Sequence, residues 1–210
     1  MAATLFQYAT PISILSNNSW VGAVTDVDED PPFNDADVMQ SPLNSSISGL
    51  SFSIEYKLKT ILNPNYYSDG FNVILRGVKS SSGSTQVVLF SLKQGSTIIT
   101  SGNFTLLSTL STQSWPLIPA EISSITDYSN LSLLLTAQPP LGGAGTNNVV
   151  LSGCALQTPS VGFDHLILNT TGYKIVGPHY GLWLKKGVTG YVEMTGSETV
   201  EALININTEY

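Results

Sequence analysis

Apolar residues recur at every second position through much of this chain, and that period most constrains what it can fold into. In "SFSIEYKLK" (51–59), Phe52, Ile54, Tyr56 and Leu58 alternate with Ser51, Ser53, Glu55, Lys57 and Lys59. Successive side chains of a strand point to opposite faces, so this stretch is predicted to be a half-buried β-strand. "FNVILRGVK" (71–79) and "QVVLFSLKQG" (86–95) are apolar on both faces at their centres, which predicts central strands covered on both sides. "STIITSGNFTLLS" (96–108) reads as a strand pair bent at Gly102-Asn103. "LSLLLTAQ" (131–138) and "NVVLSGCALQT" (148–158) follow, separated by the turn-rich "PPLGGAGTN" (139–147). Only "PAEISSITDYSNL" (119–131) offers a helical turn, with Thr126 or Asp127 as its capping oxygen. Short strands punctuated by Gly, Ser, Asn and Pro predict an all-β fold, an antiparallel β-sandwich whose apolar stripes are its core.

A chain of 210 residues can bury one substantial core, or one domain of about 140 residues with an appendage. Eight Lys and Arg against fifteen Asp and Glu give a net charge of −7, which repels phosphate backbones, so no nucleic-acid partner is expected. No apolar run approaches the roughly 18–20 residues that cross a bilayer, since "LSLLLTA" (131–137) is interrupted by Ser132 and Thr136. A soluble chain with no membrane partner is expected. The opening "MAATLFQYATPISIL" lacks a basic n-region and does not read as a secretory signal. The lone Cys154 excludes an intrachain disulfide and reads as a small buried residue on a strand.

The densest polar feature is "DVDEDPPFNDADVM" (26–39), which holds six of the fifteen carboxylates between Asp26 and Asp37. Asp26, Asp28, Asp30, Asn34 and Asp37 mimic the oxygen spacing of an EF-hand loop. The mimicry fails at Pro31, where the sharp turn needs Gly, and at Asp37, where a bidentate Glu belongs. The stretch is expected to be a stiff extended loop of solvated carboxylates, entering a strand near Val38 and Met39.

Catalytic chemistry has little to draw on. His165 falls in a strand pattern and His179 in the "GPHYG" turn, and no G-x-S-x-G elbow sets a serine beside a base. Paired carboxylates for glycoside cleavage would have to come largely from the 26–37 cluster. "PLGGAGTN" lacks a P-loop lysine and a following helix, and the sequons at Asn103 and Asn169 are expected by chance in so Asn- and Thr-rich a chain. The chain is therefore expected not to be an enzyme, with no catalytic, cofactor-binding or metal residue assigned.

Several stretches occur in a suggestive order: Trp20, "NDADVMQSP" (34–42), "SDGFNVILRGVKS" (68–80), "QVVLFSLKQGSTIIT" (86–100), "ITDYSNLSLLLTA" (125–137) and "VVLSGCALQTP" (149–159). This set resembles a jelly-roll-like β-sandwich domain of tailed-bacteriophage virion structural proteins, over about residues 19–159. "DADVM" departs from that pattern at Val38 and Met39. The resemblance implies the sandwich (19–159) and leaves the two ends outside it, so an N-terminal arm (1–18) and a small C-terminal β extension (160–210) are expected beside it. In the extension, "HLILNTTGYKIV", "YGLWLKKG", "GYVEMTG" and "TVEALININ" read as strands with too few residues for a core of their own.

Within that resemblance two functions are expected. The first is a capsid decoration or cement protein on the outer surface of the virion, bound to the major capsid protein and to itself as a homotrimer, with residues 180–207 at the subunit contacts. It is favoured by the short chain, the absence of a fibre repeat and a Ser/Thr/Asn-rich surface suited to dense packing. The alternative is a tail, baseplate or fibre module binding host-surface glycan, which would use Trp20, Trp115, Trp183 or the tyrosines as sugar platforms.

Overall fold

The computed structural model describes residues 6–45, 49–61, 69–80, 84–141, 146–159, 165–169, 172–176, 181–182 and 190–195. Internal contacts divide the chain into two units, Met1–Pro159 and Ser160–Tyr210. In the first unit the strands run β1 (Phe6–Ala9), β2 (Pro11–Asn17), β3 (Met39–Gln40), β4 (Asn44–Ser45), β5 (Phe52–Leu58) and β6 (Asn72–Lys79). They continue with β7 (Gln86–Gln94), β8 (Thr97–Leu106), β9 (Ser111–Pro116), helix α1 (Pro119–Ser124), β10 (Leu131–Ala137), β11 (Thr146–Asn147) and β12 (Val149–Pro159).

Two antiparallel sheets face each other. The first has the order β1-β12-β6-β9 with β3 also paired to β12, and the second the order β2-β5-β10-β7-β8. The short β4 and β11 pair separately. From β5 to β12 the chain repeatedly crosses between the sheets, so most core contacts join residues far apart in sequence. This is an all-β, jelly-roll-like antiparallel sandwich. The alternation in β5 sets the inner face directly: Ile54, Tyr56 and Leu58 are buried beside Leu131, Leu133 and Leu135 of β10 and Val88, Phe90 and Leu92 of β7. Val73, Leu75, Leu151, Cys154 and Leu156 close the core from the first sheet. Each large side chain buried this way contributes roughly 1.5–3 kcal/mol.

Four expectations are corrected by the tertiary structure. The described part of the expected arm is built into the sandwich: β1 pairs with β12 and β2 with β5, so residues 6–17 supply an edge strand to each sheet. Those edges satisfy backbone groups of β12 and β5 that would otherwise be unpaired, and Pro11 stands at the first residue of its strand, where a missing N–H is tolerated. Residues 97–106 form one unbroken strand, with no bend at Gly102. A Cβ there would approach Phe90 Cε1 at 2.8 Å and Trp115 Cζ2 at 2.9 Å, so Gly102 serves close packing of two aromatic rings. The hairpin turn lies instead at Gly95-Ser96, with Gly95 at φ 58°. The β7 strand is covered on one face only, since Leu89 is exposed on the other. Asp127 caps no helix: its Oδ1 accepts both the Ser129 N–H (2.9 Å) and the Ser129 hydroxyl (2.6 Å), closing an Asx turn after α1.

The second unit is described by its backbone pairing: β13 (His165–Asn169), β14 (Gly172–Val176), β15 (Gly181–Leu182) and β16 (Gly190–Thr195) form an antiparallel sheet of order β14-β13-β16-β15. The expected strand at 199–207 and most of the 180–207 subunit-contact region lie outside the described residues.

Candidate functional site

The carboxylates of the 26–37 stretch do not converge. Asp26 Oδ2 accepts the Ala23 N–H at 2.7 Å and closes a 3-10 turn at Val24–Asp26. Glu29 Oε2 accepts the Asn34 N–H at 2.8 Å, and Asn34 Nδ2 donates to Asp37 Oδ2 at 2.6 Å. Among the described residues, no three His, Cys, Asp or Glu side chains are grouped so as to hold a metal ion. The stretch is also not extended. It bends and turns after Asp30, the Pro31-Pro32 bond is cis, and Phe33 is buried.

What folds it is a pair of anchors on the outer face of the first sheet. A bulge in β12 between Leu151 and Gly153 makes Ser152 the extra residue, and its Oγ donates to Asp35 Oδ1 at 3.0 Å. On the neighbouring β6, Arg76 Nε and Nη2 donate to the two Asp35 oxygens at 2.6 and 2.5 Å, a bidentate fork. Arg76 Nη1 donates to Thr112 Oγ1 on β9 at 3.1 Å. The guanidinium bond therefore holds the Asp35 carboxyl below the usual carboxylate range and lifts the Arg76 pKa further. The second anchor is Phe33, whose ring lies against the bare backbone of Gly153; a Cβ at that position would overlap the ring carbons. Gly153 stands directly opposite Arg76 in the β12–β6 register, so both anchors act on one patch of sheet.

Between this pinned loop and the sheet lies an open cleft of about 330 Å³. Pro31, Pro32 and Phe33 form the loop side, and Tyr8 of β1 and Ile74 of β6 form an apolar wall. Asp35, Arg76 and Thr112 supply the polar end. The Tyr8 phenol is pushed up by partial burial and then by the charge of Asp30, which brings a further carboxylate to bear on the cleft. An apolar wall with an aromatic ring at one side and a hydrogen-bonding pair at the other suits a small amphipathic ligand.

Of the aromatic residues expected as platforms, Tyr8 lines the cleft, whereas the two described tryptophans serve elsewhere. Trp20 is buried in the core, and Trp115 packs against it with its ring edge-on to Phe90 at 5.6 Å. Cys154 is fully buried and its thiol is pushed up to about 12 by that burial. His165 lies in β13, whereas His179 and Trp183 fall outside the described residues. The cleft residues Tyr8, Arg76 and Thr112, and Ser152, which holds Asp35, are not individually singled out by the sequence. One signal was present: Arg76 is a lone cation inside the apolar "VILRGV", and such a residue needs a carboxylate partner.

Fold and site together define an all-β sandwich with an open amphipathic cleft on the outer face of one sheet. No family model and no curated protein matches the chain. Among solved structures it is similar to an arabinose-bound MgGH51 α-L-arabinofuranosidase, with a TM-score of 0.41 and 14% identity over 80% of this chain and 28% of that one. It is also similar to TmCBM61 in complex with β-1,4-galactotriose (TM-score 0.35, 9% identity, 74% of this chain and 88% of that one). A family two carbohydrate esterase from Cellvibrio japonicus gives a TM-score of 0.30 and 12% identity, over 78% of this chain and 37% of that one. These likenesses concern strand arrangement alone.

Proposed function

We propose that the protein is a non-catalytic, carbohydrate-binding module of a tailed-phage virion, taking a host-surface glycan in the cleft between Tyr8 and Arg76. The observation that carries this reading is the cleft itself, of about 330 Å³, with an aromatic side chain on its apolar wall and a hydrogen-bonding pair at its polar end. A sugar presents a C–H face that packs on apolar and aromatic surface and a rim of hydroxyls that exchange hydrogen bonds with groups such as Asp35 and Arg76. Asp35 is unsuited to the part of a glycosidic general acid, which needs a raised pKa, because the Arg76 bond drives its carboxyl the other way. Membership of a virion rests on the resemblance over about residues 19–159. Glycan-array screening followed by calorimetry tests the module: binding that falls at least tenfold in Tyr8→Ala, with the fold intact, supports it, and absence of binding to any glycan overturns it.

A second reading, the capsid decoration protein on the outer virion surface, is favoured by a different observation. The two bulges of edge strand β2 leave Ile12 and Leu15 out of register, and both are exposed. Apolar knobs on a sheet edge suit docking to the major capsid protein or to a second copy in a homotrimer. Labelling over the whole head in immuno-electron microscopy, lost in Ile12→Ser/Leu15→Ser, supports it; labelling confined to the tail tip overturns it.

A further inference from the structure

We infer that the cleft selects neutral saccharides and rejects acidic ones such as uronates, sialosides and phosphorylated sugars; this rests on the carbohydrate-binding reading above. Recognition of a carboxylate or phosphate by arginine uses the planar fork of the guanidinium, two parallel N–H groups meeting two oxygens. In this cleft the fork is already filled. Arg76 Nε and Nη2 are directed to Asp35, and Nη1 is shared with Thr112.

The charge balance points the same way. Among the described residues lining the cleft, Arg76 is the one cation, and the carboxylate of Asp35 compensates it at 2.5 Å. Asp30 adds a second carboxylate whose charge reaches Tyr8. An incoming anion therefore meets a cation already neutralised by a bidentate carboxylate, on a chain of net charge −7, and would have to displace Asp35 to reach the Nε–Nη2 fork.

A neutral hydroxyl has no such difficulty. Asp35 stays partly open to solvent, with 44% of its side chain exposed, and accepts from a sugar O–H without leaving the clamp. The remaining N–H groups of Arg76 Nη1 and Nη2 donate to a hydroxyl oxygen on the same sugar. The clamp thus acts as a preformed donor-acceptor pair, matched to vicinal hydroxyls.

The test is calorimetry of the full chain against gluco- and manno-oligosaccharides, with oligogalacturonates and sialyllactose as the acidic arm, at low and at physiological salt. The expected result is neutral binding at least tenfold tighter than acidic binding. Asp30→Asn, which leaves the clamp intact, should narrow that ratio several-fold, most clearly at low salt. Asp35→Asn should narrow it further by freeing the Arg76 fork, with near-ultraviolet circular dichroism confirming that the loop stays seated. Acidic sugars binding as tightly as neutral ones, or Asp30→Asn leaving the ratio unchanged, would overturn the inference while the carbohydrate-binding reading stands. No binding in either arm removes that reading, and the inference with it.

Discussion

The Phe33 ring lies against the backbone of Gly153, a contact that only the absence of a Cβ allows. With the Asp35–Arg76 fork beside it, this contact turns an acidic stretch that looks solvated in sequence into a pinned rim over the first sheet. Gly153→Ala is expected to unseat the ring and cost about 1–3 kcal/mol, as overpacking does. In a Phe33→Ala background the same change should cost much less, and a double-mutant cycle by urea denaturation measures that coupling.

Stability should fall on the acid side through identifiable groups. Asp35 is lowered by its Arg76 bond, and Asp127 by its bonds to Ser129. Burial raises Glu55, but the bonds from Lys93 and Ser132 and the Lys93 charge reverse that and leave it lowered. A carboxyl lowered on folding stabilises fully above its unfolded pKa of about 4, and that stabilisation is lost as pH falls through the folded value. Urea midpoints at pH 7 and pH 3 should therefore differ, and Glu55→Gln should reduce the difference.

Cys154 is shielded as well as protonated. Burial pushes its thiol up to about 12, so at pH 8 almost no thiolate exists and none is accessible. A chromogenic disulfide reagent should leave the native protein unmodified and label one thiol per chain in concentrated urea. Rapid native labelling would contradict the burial.

The loop after α1 depends on a residue from another strand. Gln94 Oε1 accepts the backbone N–H groups of Thr126 and Asp127, each at 2.8 Å, and its Nε2 donates to Thr126 Oγ1 at 2.9 Å. Gln94→Ala should cost about 1 kcal/mol and raise the amide exchange rates of Thr126 and Asp127 above those of their neighbours. Unchanged protection at both amides would show that the loop closes without it.

Gly102→Ala should prove more damaging than its mid-strand position suggests. The added methyl meets Phe90 and Trp115, whose rings already touch, and is expected to cost about 1–3 kcal/mol with a changed near-ultraviolet signal from Trp115. Substitution at Leu89, exposed on the outer face of β7, should leave both quantities nearly unchanged.

The all-β fold class and the strands β5, β6, β7, β10 and β12 were legible in the sequence alone, because the two-residue period of β5 and the apolar runs of the other four are local properties, written in the order of side chains along a strand. So was the acidic character of the 26–37 stretch. Its bonding was decided only in the tertiary structure, since Arg76 lies 41 residues from Asp35 and Ser152 lies 117 away. No spacing rule couples such positions; the β12 bulge and the β12–β6 register do. The same holds for residues 6–17, where four residues of β1 carry too little pattern to announce an edge strand, and its worth comes from pairing with β12. Gly102 makes the point most simply. A glycine in a sequence signals either a turn or a close approach, and only the rings of Phe90 and Trp115, brought over it by two other strands, decide that here it is the second.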